Sequence, residues 1–288
     1  AFARQGFPIL AASQTSDLDA LADTLSQALA HALAAAPEYA LHTFVPDSTQ
    51  GNPLASRAQA LHDRILSRLT RALPDARRID DLAQHRASVP IAQVCLYAPD
   101  RAATGLIASD RALSLAPGGR ARMRLGAAAP SRAARKLEEA FAWLGVSPGP
   151  GELCVDLGAA PGGWTWLLLE RHARVIAVDP ARMDPKLASD RRLRHVQGDA
   201  FKFAPEEPAD WLFCDMVWKP IEVARMLGRW ARRRDTRLLV ANFKLPMKRK
   251  AEMVRELRRT LEDDGYVGIR ARQLYHDREE ITLTARVR

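Results

Sequence analysis

The sequence predicts an α/β protein. A mostly parallel sheet, covered by helices on both faces and closed by an antiparallel hairpin, follows a smaller α/β domain. Three observations predict it. From Leu153 onward, short apolar runs alternate with stretches of helical periodicity, the pattern of strand–helix–strand units. The first run stops at Gly158-Ala159-Ala160-Pro161-Gly162-Gly163-Trp164, a glycine-rich turn that leads directly into a helical pattern. Such a strand-to-helix turn lets backbone come close to a ligand. The last two runs are joined only by Tyr275 to Glu279, too few residues for a crossover helix, so they pair as a hairpin.

Residues 1–125 form the smaller domain in this reading. Asp17 to Ala35 is helical, with Ser16 or Asp17 as its cap. Leu41 to Val45 is a strand, stopped by Pro46-Asp47-Ser48. Pro53 to Leu73 repeats apolar residues at helical spacing (Leu54, Ala58, Leu61, Ile65, Leu69). Ile91 to Tyr97 and Thr104 to Ala108 are strands joined by a turn at Pro99-Asp100. Pro117-Gly118-Gly119 and the Arg/Ala segment after it read as a linker. Residues 126–288 form the second domain. Ser131 caps a helix ending near Leu144. Strands follow at Leu153–Leu157, Val175–Asp179, Arg194–Gln197, Trp211–Cys214, Leu238–Phe243, Ile269–Leu274 and Glu280–Val287. The helices between them start near Gly163, Ile221 and Lys248.

The net charge is +9 and the isoelectric point about 9.9, which suits a polyanionic partner. Residues 126–288 carry 30 basic and 23 acidic side chains against 13 and 11 in residues 1–125, so they supply +7 of the excess. Only 7 of the 43 basic residues are lysines, which makes a lysine at a strand end worth noting. Cys95, Cys154 and Cys214 lie in apolar runs without metal-ligand spacing and read as buried free thiols of a reducing cytoplasm. No apolar run approaches the ~18 residues of a membrane span. The Leu18–Ala36 stretch contains Asp19, Asp23, Ser26 and His31 and lacks a preceding basic region, so it is a helix and not a signal peptide. The chain begins at Ala1 without an initiator methionine, so residues upstream are expected.

Open α/β sheets bind ligands at the carboxyl ends of their strands. Asp179, ending the second strand of the domain about twenty residues past the glycine loop, is placed to accept both hydroxyls of a ribose. Asp215 and Lys244 end later strands, Glu280 begins the last one, and Lys136 lies a little over one turn from the cap of the first helix. Two lysines and two acids make a charge-balanced set that can orient a weakly acidic hydroxyl. Lysine, unlike arginine, can also give up its proton beside another cation. Glu279 and Glu280 are neighbours, and only one of them can face the site from a strand.

Ser131-Arg132-Ala133-Ala134-Arg135-Lys136-Leu137-Glu138-Glu139-Ala140-Phe141, the Asp156–Trp164 loop, Cys214-Asp215-Met216-Val217, Asn242-Phe243-Lys244-Leu245-Pro246-Met247-Lys248 and Ala271 to Glu280 together resemble the RlmM family, bacterial large-subunit rRNA methyltransferases within the FtsJ-like ribose 2′-O-methyltransferases. The likeness is dense over 126–288 and thinner upstream, where it rests on Phe2-Ala3-Arg4-Gln5, the Leu54–Leu73 helix and the Val94–Gly105 hairpin.

The resemblance implies a Rossmann-like methyltransferase domain preceded by a THUMP-like RNA-binding domain. It implies S-adenosyl-L-methionine as cofactor, no metal, and a cytidine 2′-hydroxyl of large-subunit rRNA as acceptor before the ribosome is fully assembled. It also implies a tetrad of Lys136, Asp215, Lys244 and Glu280, with Lys244 taking the proton. Glu280 is chosen because the family pattern sets its glutamate directly before an apolar residue, here Ile281. The implied cofactor positions are Ser131, Ala160, Pro161, Gly162, Gly163, Trp164, Asp179, Asp199 and Asp215. Members of the family carry a further ferredoxin-like segment ahead of the Phe-Ala-Arg-Gln match.

Plainer readings stand beside these. The glycines alone make a tight turn, Asp199 alone a helix cap, and Trp164 a core residue whose backbone amide matters more than its ring. Asp156 fixes the loop, and Glu138 and Glu139 are solvated. His276 is a hairpin-turn histidine, and Tyr275 packs on an edge or stacks on a base. The glycine loop is not G-x-G-x-x-G, which argues against a dinucleotide dehydrogenase. The competing functions are methylation of another RNA and a catalytically silent RNA-binding protein.

Overall fold

The computed structural model describes residues 3–85, 87–121, 129–275 and 279–288. They fall into two compact units, 3–121 and a second one that runs to Arg288. Phe2, most of the Arg/Ala linker segment and His276 lie outside the described residues.

The first unit is a five-stranded sheet with two helices. Its elements are β1 (Ile9–Gln14), α1 (Leu18–Leu33), β2 (Glu38–Phe44), α2 (Ala55–Ala72), β3 (Arg77–Arg78), β4 (Pro90–Ala98) and β5 (Arg101–Ala108), in the order β1-β5-β4-β2-β3. Asp17 caps α1, accepting from the amides of Asp19 and Ala20. The apolar stripes of α1 and α2 (Leu21, Leu25, Leu29; Leu61, Ile65, Leu69) meet Ala92, Val94 and Leu96 of β4 in one core. Strands β1 and β3 are absent from the sequence reading. β1 is a largely exposed edge strand and β3 only two residues long, so neither carries the period-2 apolar signal that marks a strand.

The second unit contains α3 (Ala134–Leu144), β6 (Leu153–Leu157), α4 (Gly163–Glu170), β7 (Arg174–Val178), β8 (Leu193–Val196), β9 (Ala209–Cys214), α5 (Pro220–Arg233), β10 (Thr236–Lys244), α6 (Lys250–Asp263), β11 (Tyr266–Arg272) and β12 (Glu280–Val287). The sheet order is β11-β12-β10-β9-β6-β7-β8. Strands β10, β9, β6, β7 and β8 are parallel, and β12 runs antiparallel between β10 and β11. This is a Rossmann-like methyltransferase sheet closed by an antiparallel hairpin.

Both faces are buried, and alternation along each strand assigns them. Leu212, Cys214, Leu239, Ala241 and Phe243 face α5 and α6. Trp211, Phe213, Val240 and Cys154 face α3 and α4. Residues of even parity on β10 therefore share the α3 side with Val240, which puts Asn242 and Lys244 on the same side as Lys136. Several sequence boundaries shift, among them the strand expected at Ile269–Leu274, which is β11 at Tyr266–Arg272. Asp179 and Gln197 fall just beyond β7 and β8. Helix α3 starts at Ala134 without a side-chain cap, because Ser131 Oγ accepts from the amide of Ala133 instead (3.2 Å).

Candidate active site

The ends of β6, β7, β8, β9 and β10 meet at one rim. After β6 the chain turns through Gly158 at φ +78°, passes a cis Ala160–Pro161 bond and enters α4 from Gly162 at φ +115°. Side chains close in on this loop. A Cβ on Gly158 would stand 2.6 Å from Met216 Cγ, one on Gly162 2.4 Å from Leu187 Cδ1, and one on Gly163 2.2 Å from Ser131 Oγ. Positive φ requires glycine at 158 and 162, and a Cβ at 163 would displace the Ser131 hydroxyl. Trp164 is buried, sits edge-on to Phe213, and donates from Nε1 to the carbonyl of Ala133 (3.0 Å). The indole ties α4 to the start of α3, a structural task for the ring.

Asp156, on the α3 and α4 side of β6, is fully buried and accepts from Thr165 Oγ1 (2.7 Å). Burial pushes its carboxyl up to about 7, with the Thr165 hydrogen bond pulling the other way. It supports the loop from beneath. Half-buried Asp179 accepts from the amide of Ala160 (3.1 Å) and that of Ala181 (2.7 Å), so it holds the glycine loop and retains acceptor capacity toward the rim. Exposed Asp199 accepts from the amide of Phe201 (2.9 Å), as a turn-capping aspartate does.

The glycine loop and the two strand-end acids suit a nucleoside-bearing group. They offer carboxylate acceptors for ribose hydroxyls and for an amino group, beside an exposed Pro161 edge. Thiol chemistry is not favoured: burial pushes Cys214 up to about 12 and Cys95 up to about 11. Among the described residues no His, Cys, Asp and Glu group could hold a metal, and no helix is long and apolar enough to cross a membrane.

The lysine and acid side chains meet next to this loop. Lys136 Nζ donates to Glu280 Oε2 and lies 3.8 Å from Asp215 Oδ2. Lys244 ends β10 directly opposite Glu280 in the β10–β12 register, and cross-strand partners point to the same face. The Lys244 side chain is exposed and makes no ion pair with another described residue. Asp215 is half-buried. Burial raises its carboxyl above the usual range, and the Lys136 charge offsets this in part. Glu280, and not Glu279, meets Lys136; Glu279 contributes its carbonyl to the amide of Leu245 (2.7 Å).

Three participants escape the sequence reading. Asn242 Nδ2 donates to Asp215 Oδ1 (3.2 Å), and Thr282 Oγ1 donates to Asn242 Oδ1 (2.6 Å). Both are buried and in register with each other. They link β10 and β12 to Asp215 and fix its orientation. A polar residue inside the apolar run Val240–Phe243 was the available signal. The third is Glu139, expected to be solvated. It is buried, and both its oxygens accept from the amide of Tyr275 (2.8 and 3.0 Å).

An FtsJ-like methyltransferase model matches residues 129–242, a span that includes Lys136, the glycine loop and Asp215 and ends two residues before Lys244. Ribosomal RNA large subunit methyltransferase M of Halorhodospira halophila (strain DSM 244 / SL1) is 38% identical over 288 residues, covering 99% of this chain and 80% of that protein. That of Xylella fastidiosa (strain M12) is 39% identical over 251 residues, covering 83% of this chain and 69% of its own. The chain belongs to the ribosomal RNA large subunit methyltransferase M family. A further member, from Methylococcus capsulatus (strain ATCC 33009 / NCIMB 11132 / Bath), is 46% identical over 175 residues, or 58% of this chain and 50% of that protein.

Proposed function

We propose that the protein methylates the ribose 2′-hydroxyl of a cytidine in large-subunit rRNA, with S-adenosyl-L-methionine as the donor. The observation that carries this reading is the arrangement at the rim. One amine, Lys136, is held between two carboxylates, and a second, Lys244, stands opposite one of them. Family membership supports the rRNA as substrate, and the β6–α4 loop with Asp179 and Asp199 supports the cofactor. When bound, S-adenosyl-L-methionine supplies a sulfonium methyl group, which the 2′-oxygen takes by in-line displacement.

The residues of this chain do the rest. Ser131 and the Ala160–Trp164 loop hold the cofactor, Asp179 accepts its ribose hydroxyls, Asp199 its amino group, and Asp215 closes the pocket. Lys244, in its neutral amine form, accepts the proton of the 2′-hydroxyl on Nζ and becomes an ammonium. Lys136 holds Asp215 and Glu280 in place, and these acids offset the charge that Lys244 gains. Holding the oxygen close and aligned is the larger contribution. The first unit acts as a THUMP-like RNA-binding domain, and the reaction takes place in the cytoplasm before the large subunit is complete.

Lys244→Ala should keep its affinity for S-adenosyl-L-methionine in calorimetry. Its single-turnover methyl transfer to unmodified large-subunit rRNA should fall by about 10²–10⁴-fold. Transfer near the wild-type rate would remove Lys244 from the reaction. Mapping of the 2′-O-methyl on the product identifies the nucleotide, and modification of a tRNA instead would refute the rRNA assignment.

A further inference from the structure

The two loops that leave β9 and β10 carry features that the reaction does not use. Three residues beyond Asp215 stands Trp218, and three beyond Lys244 stands Met247. Val217, Trp218 and Met247 are 76%, 54% and 82% exposed, among the most solvent-open large apolar side chains of the second unit. β9 and β10 are adjacent and parallel, with Cys214 opposite Ala241, so both loops emerge at the same rim, beside the lysine–acid cluster.

Trp218 does not swing freely. Its Nε1 donates to Glu222 Oε2 (2.7 Å), and its ring leans on Phe201 with centroids 5.7 Å apart. An exposed indole fixed at two points loses little freedom on receiving a partner, which is what a stacking surface needs. The charge around it is positive. Lys219, Lys248, Arg249 and Lys250 lie on these loops or just past them. Two of them pair with acids, Lys219 with Glu222 (3.0 Å) and Arg249 with Glu252 (2.5 Å). Both pairs are solvent-exposed and yield readily to a phosphate.

We infer that Trp218 is a stacking platform for an unpaired RNA base beside the target ribose, and that Lys219 and Lys248 hold the flanking phosphates. The inference rests on the ribose-methylation reading for what the site does, but not for whether the ring binds RNA. Single-stranded RNA fits better than an apolar protein partner, because the apolar side chains are interleaved with cations. A base has a π face for the indole, and its backbone has anions for the lysines.

The test uses the full chain, a fluorescein-labelled single-stranded cytidine-containing oligoribonucleotide and fluorescence anisotropy, comparing wild type, Trp218→Phe and Trp218→Ala. Trp218→Ala should weaken oligonucleotide binding about 10-fold and Trp218→Phe by less than about 3-fold, in line with stacking losses seen on alanine substitution. The calorimetric affinity for S-adenosyl-L-methionine and the melting temperature should stay unchanged. Equal RNA affinity in all three proteins would overturn the inference. So would an equal loss of cofactor affinity, which would assign the ring to the adenine. If wild type binds the oligonucleotide through Trp218 but transfers no methyl to rRNA, the reaction reading fails and the platform stands.

Discussion

Asp156 shows how one residue sets a condition on the whole unit. Its ordinary value of 3.8 rises to about 7 in the folded protein, chiefly through burial. Below about 4 the carboxyl is protonated in both folded and unfolded chains and burial costs nothing extra. As pH rises toward 7 the unfolded chain loses the proton freely, whereas the folded one must hold it or bury a charge. Folding stability therefore declines across that window. Asp156→Asn keeps an acceptor for Thr165 and has no charge to bury. It should melt several degrees above wild type at pH 8, with the gap shrinking toward pH 5, as followed by circular dichroism. A constant gap would remove the titration from the account. Residue by residue, the strand-end acids and lysines were legible because a charge that ends an apolar run is conspicuous. Asn242, Thr282 and Glu139 were not, since their partners are 27 to 136 positions away in the chain.

At the scale of elements, α3 and the residues leading into it meet the site at several points. Ser131 Oγ occupies the space next to Gly163, at the start of α4. Helix propensity alone would make Gly163→Ala stabilising by less than the ~1 kcal/mol of a helix interior, since Gly163 is the first residue of α4. A Cβ there displaces the Ser131 hydroxyl, 2.2 Å away, and with it the hydrogen bond that hydroxyl accepts from Ala133, which outweighs the gain. Gly163→Ala should lower the melting temperature, and adding Ser131→Gly should recover much of the loss; a stabilised single variant would show that the loop is roomier than this packing. Glu139, one turn beyond Lys136, holds the amide of Tyr275 and so sets where the chain sits as it heads toward Glu280. Glu139→Ala should speed amide exchange at Tyr275 and slow methyl transfer about 10-fold, with cofactor affinity unchanged. Glu139→Gln, which keeps one acceptor, should fall between. The elements themselves were legible in order and type across the second unit, because the central strands β6 and β9 are buried almost throughout and helical periodicity separates the rest. The exposed edge strand β1 left no such trace.

Across the whole molecule, charge is unevenly spread. All seven lysines lie in residues 126–288, along with +7 of the net +9. RNA affinity should then depend steeply on salt, while affinity for a small cofactor should not. If four phosphates are engaged, raising salt from about 50 to 200 mM should weaken single-stranded RNA binding about 50-fold. A flat salt response would mean that the basic surface takes no part in RNA binding. The layered sheet of the second unit was visible in the alternation of patterns.

The reversal of β12 has a consequence for how such a site can fail. Every other strand delivers its chemistry where it finishes; β12 delivers Glu280 where it starts, and the two meet only because the chain doubles back. Slippage of that strand by a single position against β10 would turn the carboxylate to the opposite side of the sheet, among Phe243 and Leu257. Lys136 would then lose one of its two counter-ions with no residue replaced. The alternation of Ile281, Leu283 and Ala285 against the α5 and α6 side holds that register, and with it the place of the carboxylate.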